Sequence, residues 1–217
     1  MATVQPRETA TERAYAFTKS RVLDGRFAGG DLISEGDVAA SVGLSRTPVR
    51  EAFLQLESEG LLRLYPKRGA LVVPVSAAEV EDVMETRLLV ERFAIEKIGR
   101  AAPGLIAQLQ AEIERQERLA ARGDARAFVV SDREFHRLLV AATGNQVLLT
   151  LHDSLRDRQS RMGLVALAAD ADRVREICAE HRALLTALAA GDPAAGDLMT
   201  AHLQRTLALV RRERSAG

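Results

Sequence analysis

The 217-residue chain reads as a mainly α protein with one small β-hairpin: a helical N-terminal domain, residues 1–75, that ends in the hairpin, then an antiparallel all-α bundle, residues 76–217. Three observations predict this. Apolar residues recur at three- and four-residue spacing along most of the chain. Between residues 61 and 73 the period changes to that of short strands around "PKRG". Glycine, proline and capping residues fall where one helix must stop and the next begin.

Taken in order, "ATERAYAFTKSRVLDG" gives a first helix closing on Gly25. Ser34 caps a short second helix through Val38, Ala39 and Val42, and Gly43 terminates it. Ser45 caps the third, Pro48 sits in its first turn, and Val49, Ala52, Phe53 and Leu56 form its apolar stripe up to Glu59-Gly60. The runs Leu61 to Leu64 and Ala70 to Val73 then flank the hairpin turn. Helix, helix, turn, helix, hairpin is the order of a winged helix-turn-helix. Beyond it, Ser76 with Glu79 opens a long helix whose apolar positions include Val80, Val83, Leu88, Phe93 and Ile95. Pro103, "RGDARAF", Gly144-Asn145, "GLVALAADADR" and "AAGDPAAGD" divide the remainder, giving about six bundle helices in all.

Composition narrows the function classes. With 47% hydrophobic and 28% charged residues the chain supports real cores and a solvated surface. It holds no apolar run of membrane-spanning length and begins without the apolar core of a secretion signal, so a cytoplasmic protein with no membrane partner is expected. Net charge is formally zero, so a case for nucleic-acid binding rests on local placement. The single Cys178 reads as a packing thiol.

Local placement supplies that case. The second helix of a helix-turn-helix enters the major groove by its N-terminal end, where donors must be exposed. Ser45, Arg46, Thr47 and Arg50 are such donors: arginine forks pair with guanine or phosphate, and hydroxyls reach either. Lys67 and Arg68 stand at the hairpin tip, where Gly69 allows close approach to a sugar-phosphate backbone. Each piece alone reads more readily as an ordinary capped helix or solvated loop; their ordered combination reverses this and favours double-stranded operator DNA. The stretch "ISEGDVAASVGLSRTPVREAFLQLESEGLLRLYPKRGALVVPVS" resembles the winged helix-turn-helix of the GntR family of bacterial transcription regulators. The resemblance implies operator binding as a homodimer, with Arg46, Thr47 and Arg50 on the recognition helix and Gly69 at the wing. Gly36 departs from members that carry a polar residue there.

In the bundle, "DREFHRLLVAATGN" places Asp132 and His136 one helical turn apart on one face. His181 and His202 each occupy a later amphipathic helix, and four ligands on three helices can converge in a bundle core. Three imidazoles and one carboxylate suit a divalent transition metal, zinc foremost, with nickel or manganese compatible. A single helical histidine is more often a surface or satisfied core residue than a ligand, and His152 is read as structural. Residues 76 to about 212 resemble the FCD-type ligand-binding domain of the FadR branch of that family, through "ETRLLVE", "SDREFHRLLVAATGN", "EHRALLTAL" and "AHL". In that domain the matching positions, Asp132, His136, His181 and His202, form a metal site. An open-sided ion would accept a carboxylate from a small organic-acid effector while an arginine takes its other end. Arg87 is the first candidate, against an intrahelical pair with Glu91 or Glu85; Arg158 and Arg161 are weaker ones. The expected function is a metabolite-responsive transcription regulator, a repressor, and not an enzyme. The competing class is a metal-dependent enzyme of small organic acids fused to a DNA-binding arm.

Overall fold

The computed structural model describes residues 8–169 and 172–216, and it divides between Val75 and Ser76 into two compact units.

In the N-terminal unit, α1 (Ala10–Leu23) opens with a capping box in which the Thr9 hydroxyl accepts from the Glu12 amide and the Glu12 carboxylate accepts from that of Thr9. A two-residue strand, β1 (Leu32–Ile33), precedes α2 (Glu35–Val42), which Ser34 caps and Gly43 ends in left-handed conformation. The third helix, α3 (Arg46–Ser58), buries Val49, Ala52, Phe53 and Leu56, the stripe the periodicity predicts. Strands β2 (Leu62–Tyr65) and β3 (Gly69–Val72) form the hairpin, and β1 adds to it antiparallel to give the order β1-β3-β2. The sequence does not predict β1: two residues carry no period, and the strand exists because Leu32 and Ile33 register against Leu71 and Ala70. The third strand explains Gly69, whose φ is +101° and where a Cβ would overlap the Ile33 carbonyl oxygen. The close approach that this glycine permits is thus to the chain's own β1.

The second unit contains α4 (Ala77–Ile98), α5 (Pro103–Ala121), α6 (Ala125–Ala141), α7 (Gln146–Ser154), α8 (Arg156–Ala169), α9 (Arg173–Ala190) and α10 (Ala195–Ala216). Seven helices are therefore described where about six are expected. The missed boundary is at Leu155, where neither glycine nor proline marks the break. Conversely, "GLVALAADADR" is not a break along its first seven residues, because α8 runs through Gly163 to Ala169. That glycine serves packing: a Cβ there would lie 3.0 Å from Val129 Cγ1, so its absence lets α8 press against α6.

The α4 stripe also differs from expectation. Phe93 is 46% exposed, while Arg87 and Glu91 are buried on the inner face beside Val83, Met84, Val90 and Ala94. A buried arginine–glutamate pair one turn apart interrupts the apolar pattern, and its presence inside the bundle points to a polar centre.

Candidate metal centre and nucleic-acid interface

Asp132 and His136 project from α6, His181 from α9 and His202 from α10. One ligand atom of each lies within 4.8 Å of all the others, and the three imidazoles are buried. Asp132 Oδ1 is 3.9 Å from His136 Nε2 and 3.7 Å from His181 Nε2, and the Nε2 atoms of His136 and His202 are 3.2 Å apart. Tetrahedral coordination at about 2.0–2.1 Å puts ligand nitrogens roughly 3.3 Å apart, the same scale.

The outer atoms of the rings decide what the inner ones offer. His202 Nδ1 donates to Glu180 Oε2 at 2.6 Å, and His181 Nδ1 donates to Gln116 Oε1 at 2.9 Å. His136 Nδ1 lies 2.7 Å from Glu91 Oε2, at an angle outside hydrogen-bond geometry but beside a carboxylate that favours a proton there. With the Nδ1 atoms protonated, each Nε2 presents a lone pair to the centre. An approach of two Nε2 atoms to 3.2 Å is satisfied by a proton on one ring or by a cation between them. The His181 Nε2 and Asp132 Oδ1 atoms are buried without a hydrogen-bond partner. Outer acceptors that fix the tautomer and leave the inner nitrogen free are a recurrent feature of metal-binding histidines, and the donor set fits a divalent ion.

Electrostatics agree. Burial pushes His181 well below its ordinary value, helped by His202, His136, Arg173 and Arg87; burial also lowers His202 against the opposing bond to Glu180. Both rings are therefore neutral near pH 7 and available as ligands. Glu180 is held at about 2: desolvation would raise it, but hydrogen bonds from His202 and Arg173 outweigh that. Desolvation also opposes ionisation of Glu91, yet the charge of Arg87 and the contact with His136 hold it well below the usual carboxylate range.

Beside the cluster lies a cavity of about 30 Å³, lined among others by Asp132, His202 and Arg87. The Arg87 Nε–H donates to Glu91 Oε1 at 2.7 Å, so the intrahelical pairing and the place in the cavity wall both hold. Arg158 is half exposed and lies 3.3 Å from Glu79, and Arg161 is buried; neither lines this cavity. His152 is buried with Nε2 3.4 Å from Glu91 Oε1, extending the polar cluster behind His136. Cys178 is buried, its thiol pushed up to about 11 by desolvation and then by Glu117 and Asp132, in keeping with a packing role. Sequence reasoning missed Gln116, Glu180 and Glu91 as supports of the imidazoles. Only Glu91, one turn from Arg87, had a sequence signal; Gln116 and Glu180 meet their partners through helix packing alone.

In the N-terminal unit, Ser45, Arg46, Thr47 and Arg50 are all exposed at the start of α3, as are Lys67 and Arg68 at the hairpin tip. Ser45 takes the extended cap conformation, but its hydroxyl makes no capping bond, so this helix end keeps its unsatisfied amides. A Cβ on Gly36 would stand 3.4 Å from the Arg46 guanidinium, so the glycine leaves that side chain room over the start of α2. Lys67 has φ +63°, a left-handed conformation that is uncommon for a residue other than glycine.

The profile described as "Bacterial regulatory proteins, gntR family" matches residues 10–72, and that of the FCD domain matches residues 82–205. The chain belongs to the GntR family of bacterial regulators, with a C-terminal FCD domain. An HTH-type transcriptional regulator from an unstable DNA locus of Streptomyces ambofaciens is 32% identical over 93% of this chain and 85% of its own length. The gluconate operon transcriptional repressor of Bacillus licheniformis is 29% identical over 70% and 62%. A crystal structure of a GntR transcriptional regulator from Rhodococcus sp. RHA1 superposes with TM-score 0.76 at 24% identity, covering 93% of this chain and 97% of that one. In this GntR regulator the first match spans every exposed donor of α3 and the hairpin, and the second spans all four candidate metal ligands. Both families are regulatory, and the metalloenzyme reading finds no support in them. No described helix is long and apolar enough to cross a membrane.

Proposed function

We propose that this transcription regulator is a homodimeric repressor whose FCD domain binds a divalent metal through Asp132, His136, His181 and His202, and whose operator affinity a small carboxylate effector changes. The observation that carries the metal assignment is the inward-facing Nε2 set, with the outer nitrogens of His181 and His202 engaged by Gln116 and Glu180. When bound, the ion supplies a Lewis-acidic position for a ligand oxygen. The protein's own residues do the rest: Gln116 and Glu180 orient the His181 and His202 rings, the Glu91 carboxylate stands beside His136 Nδ1, and Arg87, fixed by its ion pair with Glu91, forms part of the cavity wall. Zinc suits the nitrogen-rich set; nickel and manganese are compatible.

The operator surface comprises Ser45, Arg46, Thr47 and Arg50, exposed at the open N-terminus of α3, with Lys67 and Arg68 exposed at the hairpin tip and Gly69 completing the wing turn. Dimerisation is supported by apolar side chains that the bundle leaves in solvent: Leu89, 69% exposed, and Phe93 one turn on along α4, with Val147, 78% exposed, and Leu151 on α7. A dimer would pair two recognition helices with two half-sites.

The test is fluorescence anisotropy on the promoter DNA adjoining the gene, with metal-loaded and chelated protein, across a panel of small organic acids. An acid that changes operator affinity about 5–150-fold, only when metal is bound, is expected. A full response in metal-free protein would refute the reading.

A further inference from the structure

The cavity beside the four candidate metal ligands measures about 30 Å³, the share of one water molecule in the liquid, so it admits no organic acid as it stands. A carboxylate directed to the metal needs space from elsewhere. A second cavity of about 770 Å³, on the scale of sites for drug-sized ligands, lies among the α5–α6 turn, the end of α8 and the first half of α9. Phe128 and Leu167 line both cavities. Phe128, 1% exposed, joins Ile177 and Cys178 in one buried apolar cluster against which Leu167 packs. Ile177 lines the small cavity and Cys178 the large one, so this cluster is the partition between them.

The path across the partition is short. Phe128 precedes Asp132 by four residues on α6, about 6 Å of helix, and Cys178 precedes His181 by three on α9, about 4.5 Å. The Cys178 thiol, raised by desolvation and then by Glu117 and Asp132, lies within electrostatic reach of the Asp132 carboxylate. The larger cavity asks for no second charge on a ligand, because its own charged residues are engaged: Arg182 donates twice to Glu117, Arg175 lies 3.3 Å from Asp172, and Asp124 caps α6. The remaining wall includes Leu119, Phe128 and Val174. A volume of that size takes a bulky body such as a ring system rather than a single alkyl chain, and Phe128 offers a ring a stacking partner.

We infer that the two cavities act as one site for a carboxylic acid with an aryl body: its carboxylate is directed to the metal, a short linker passes where the Phe128 and Leu167 side chains stand aside, and the body lies against Leu119, Val174 and Cys178. This rests on the metal-dependent effector site proposed above and adds the class of ligand and its route to the ion.

The test is calorimetric titration of the full-length, zinc-loaded protein with acetate, 3-phenylpropionate, 4-phenylbutyrate and the uncharged 4-phenylbutanol. The aryl acids should bind about tenfold or more tighter than either acetate or the alcohol. Ala179 is an exposed residue of the larger cavity's wall, so Ala179→Trp should fill that space, weakening the aryl acids about tenfold or more while leaving acetate within about threefold and zinc content unchanged. In methyl NMR spectra of the wild type, 4-phenylbutyrate should shift the Leu119 and Val174 signals and acetate should not. Acetate or the alcohol binding as tightly as the aryl acids, equal weakening of acetate and aryl acids by Ala179→Trp, aryl binding untouched by it, or unshifted Leu119 and Val174 signals would overturn the inference while leaving the metal-dependent site intact. Aryl acids that bind metal-free protein equally well, or failure of every acid to bind loaded protein, would overturn both.

Discussion

Replacing Gln116 by leucine isolates the link between bundle packing and metal affinity. Gln116 is fully buried, and its Oε1 accepts the His181 Nδ1–H at 2.9 Å, whereas its own Nε2 has no partner. Leucine is of similar size. The substitution leaves the His181 N–H unsatisfied, a cost of about 1–3 kcal/mol, but removes an equally orphaned amide donor, so the net change in metal-free stability should be within about 1 kcal/mol. Metal affinity should respond more strongly. His181 loses the acceptor that fixes its tautomer and ring orientation, and loss of such outer partners weakens metal binding about 10–100-fold, or roughly 1.4–2.7 kcal/mol. Titration against a zinc-buffering chelator gives the affinity, and thermal unfolding with and without metal gives both stabilities. The variant should therefore unfold close to wild type when stripped and well below it when loaded. A folded Gln116→Leu protein with wild-type metal affinity would refute the assignment of His181 as an oriented ligand.

Three further outcomes are expected. Arg46→Ala should cost about 1–3 kcal/mol on the specific operator if the side chain reads a base, whereas Lys67→Ala should weaken all sequences alike and reduce the salt slope of binding by about one; anisotropy titrations over a range of salt check both. Metal-free protein should lose stability as pH falls: burial depresses His181 and His202 in the folded state below their ordinary value near 6.5, so the unfolded chain binds protons first, and the loss should set in below about pH 6.5 in denaturant titrations. Leu89→Glu with Phe93→Glu, both exposed on α4, should shift sedimentation from dimer to monomer without lowering the thermal midpoint of the bundle.

Local signals made much of this protein legible in its sequence. The α3 stripe, the caps at Ser34 and Ser76 and the hairpin turn at residues 66–69 follow from periodicity and capping chemistry, which act over one or two turns. The four metal-ligand candidates were nameable because Asp132 and His136 share one turn and two later helices each carry a histidine at an inner position. What the pattern could not show depends on tertiary packing. β1 exists only through β3, and the break at Leu155 has no helix-stopping residue. Gly163 reads as a stop until Val129 is seen against it. Phe93 reads as core until Arg87 and Glu91 are found occupying the inner face. Gln116 and Glu180 lie 65 and 22 residues from the histidines they hold, and no local spacing connects such partners.

Under the proposed function, Asp132 and the three inward-facing imidazoles share one ion. Elemental analysis of purified full-length protein, in parallel with His181→Ala and His202→Ala, tests it most directly. About one divalent ion per chain is expected in the wild type and a substoichiometric content in each folded variant, since each loses one of the four converging ligands. Stoichiometric metal retained by both variants would contradict it.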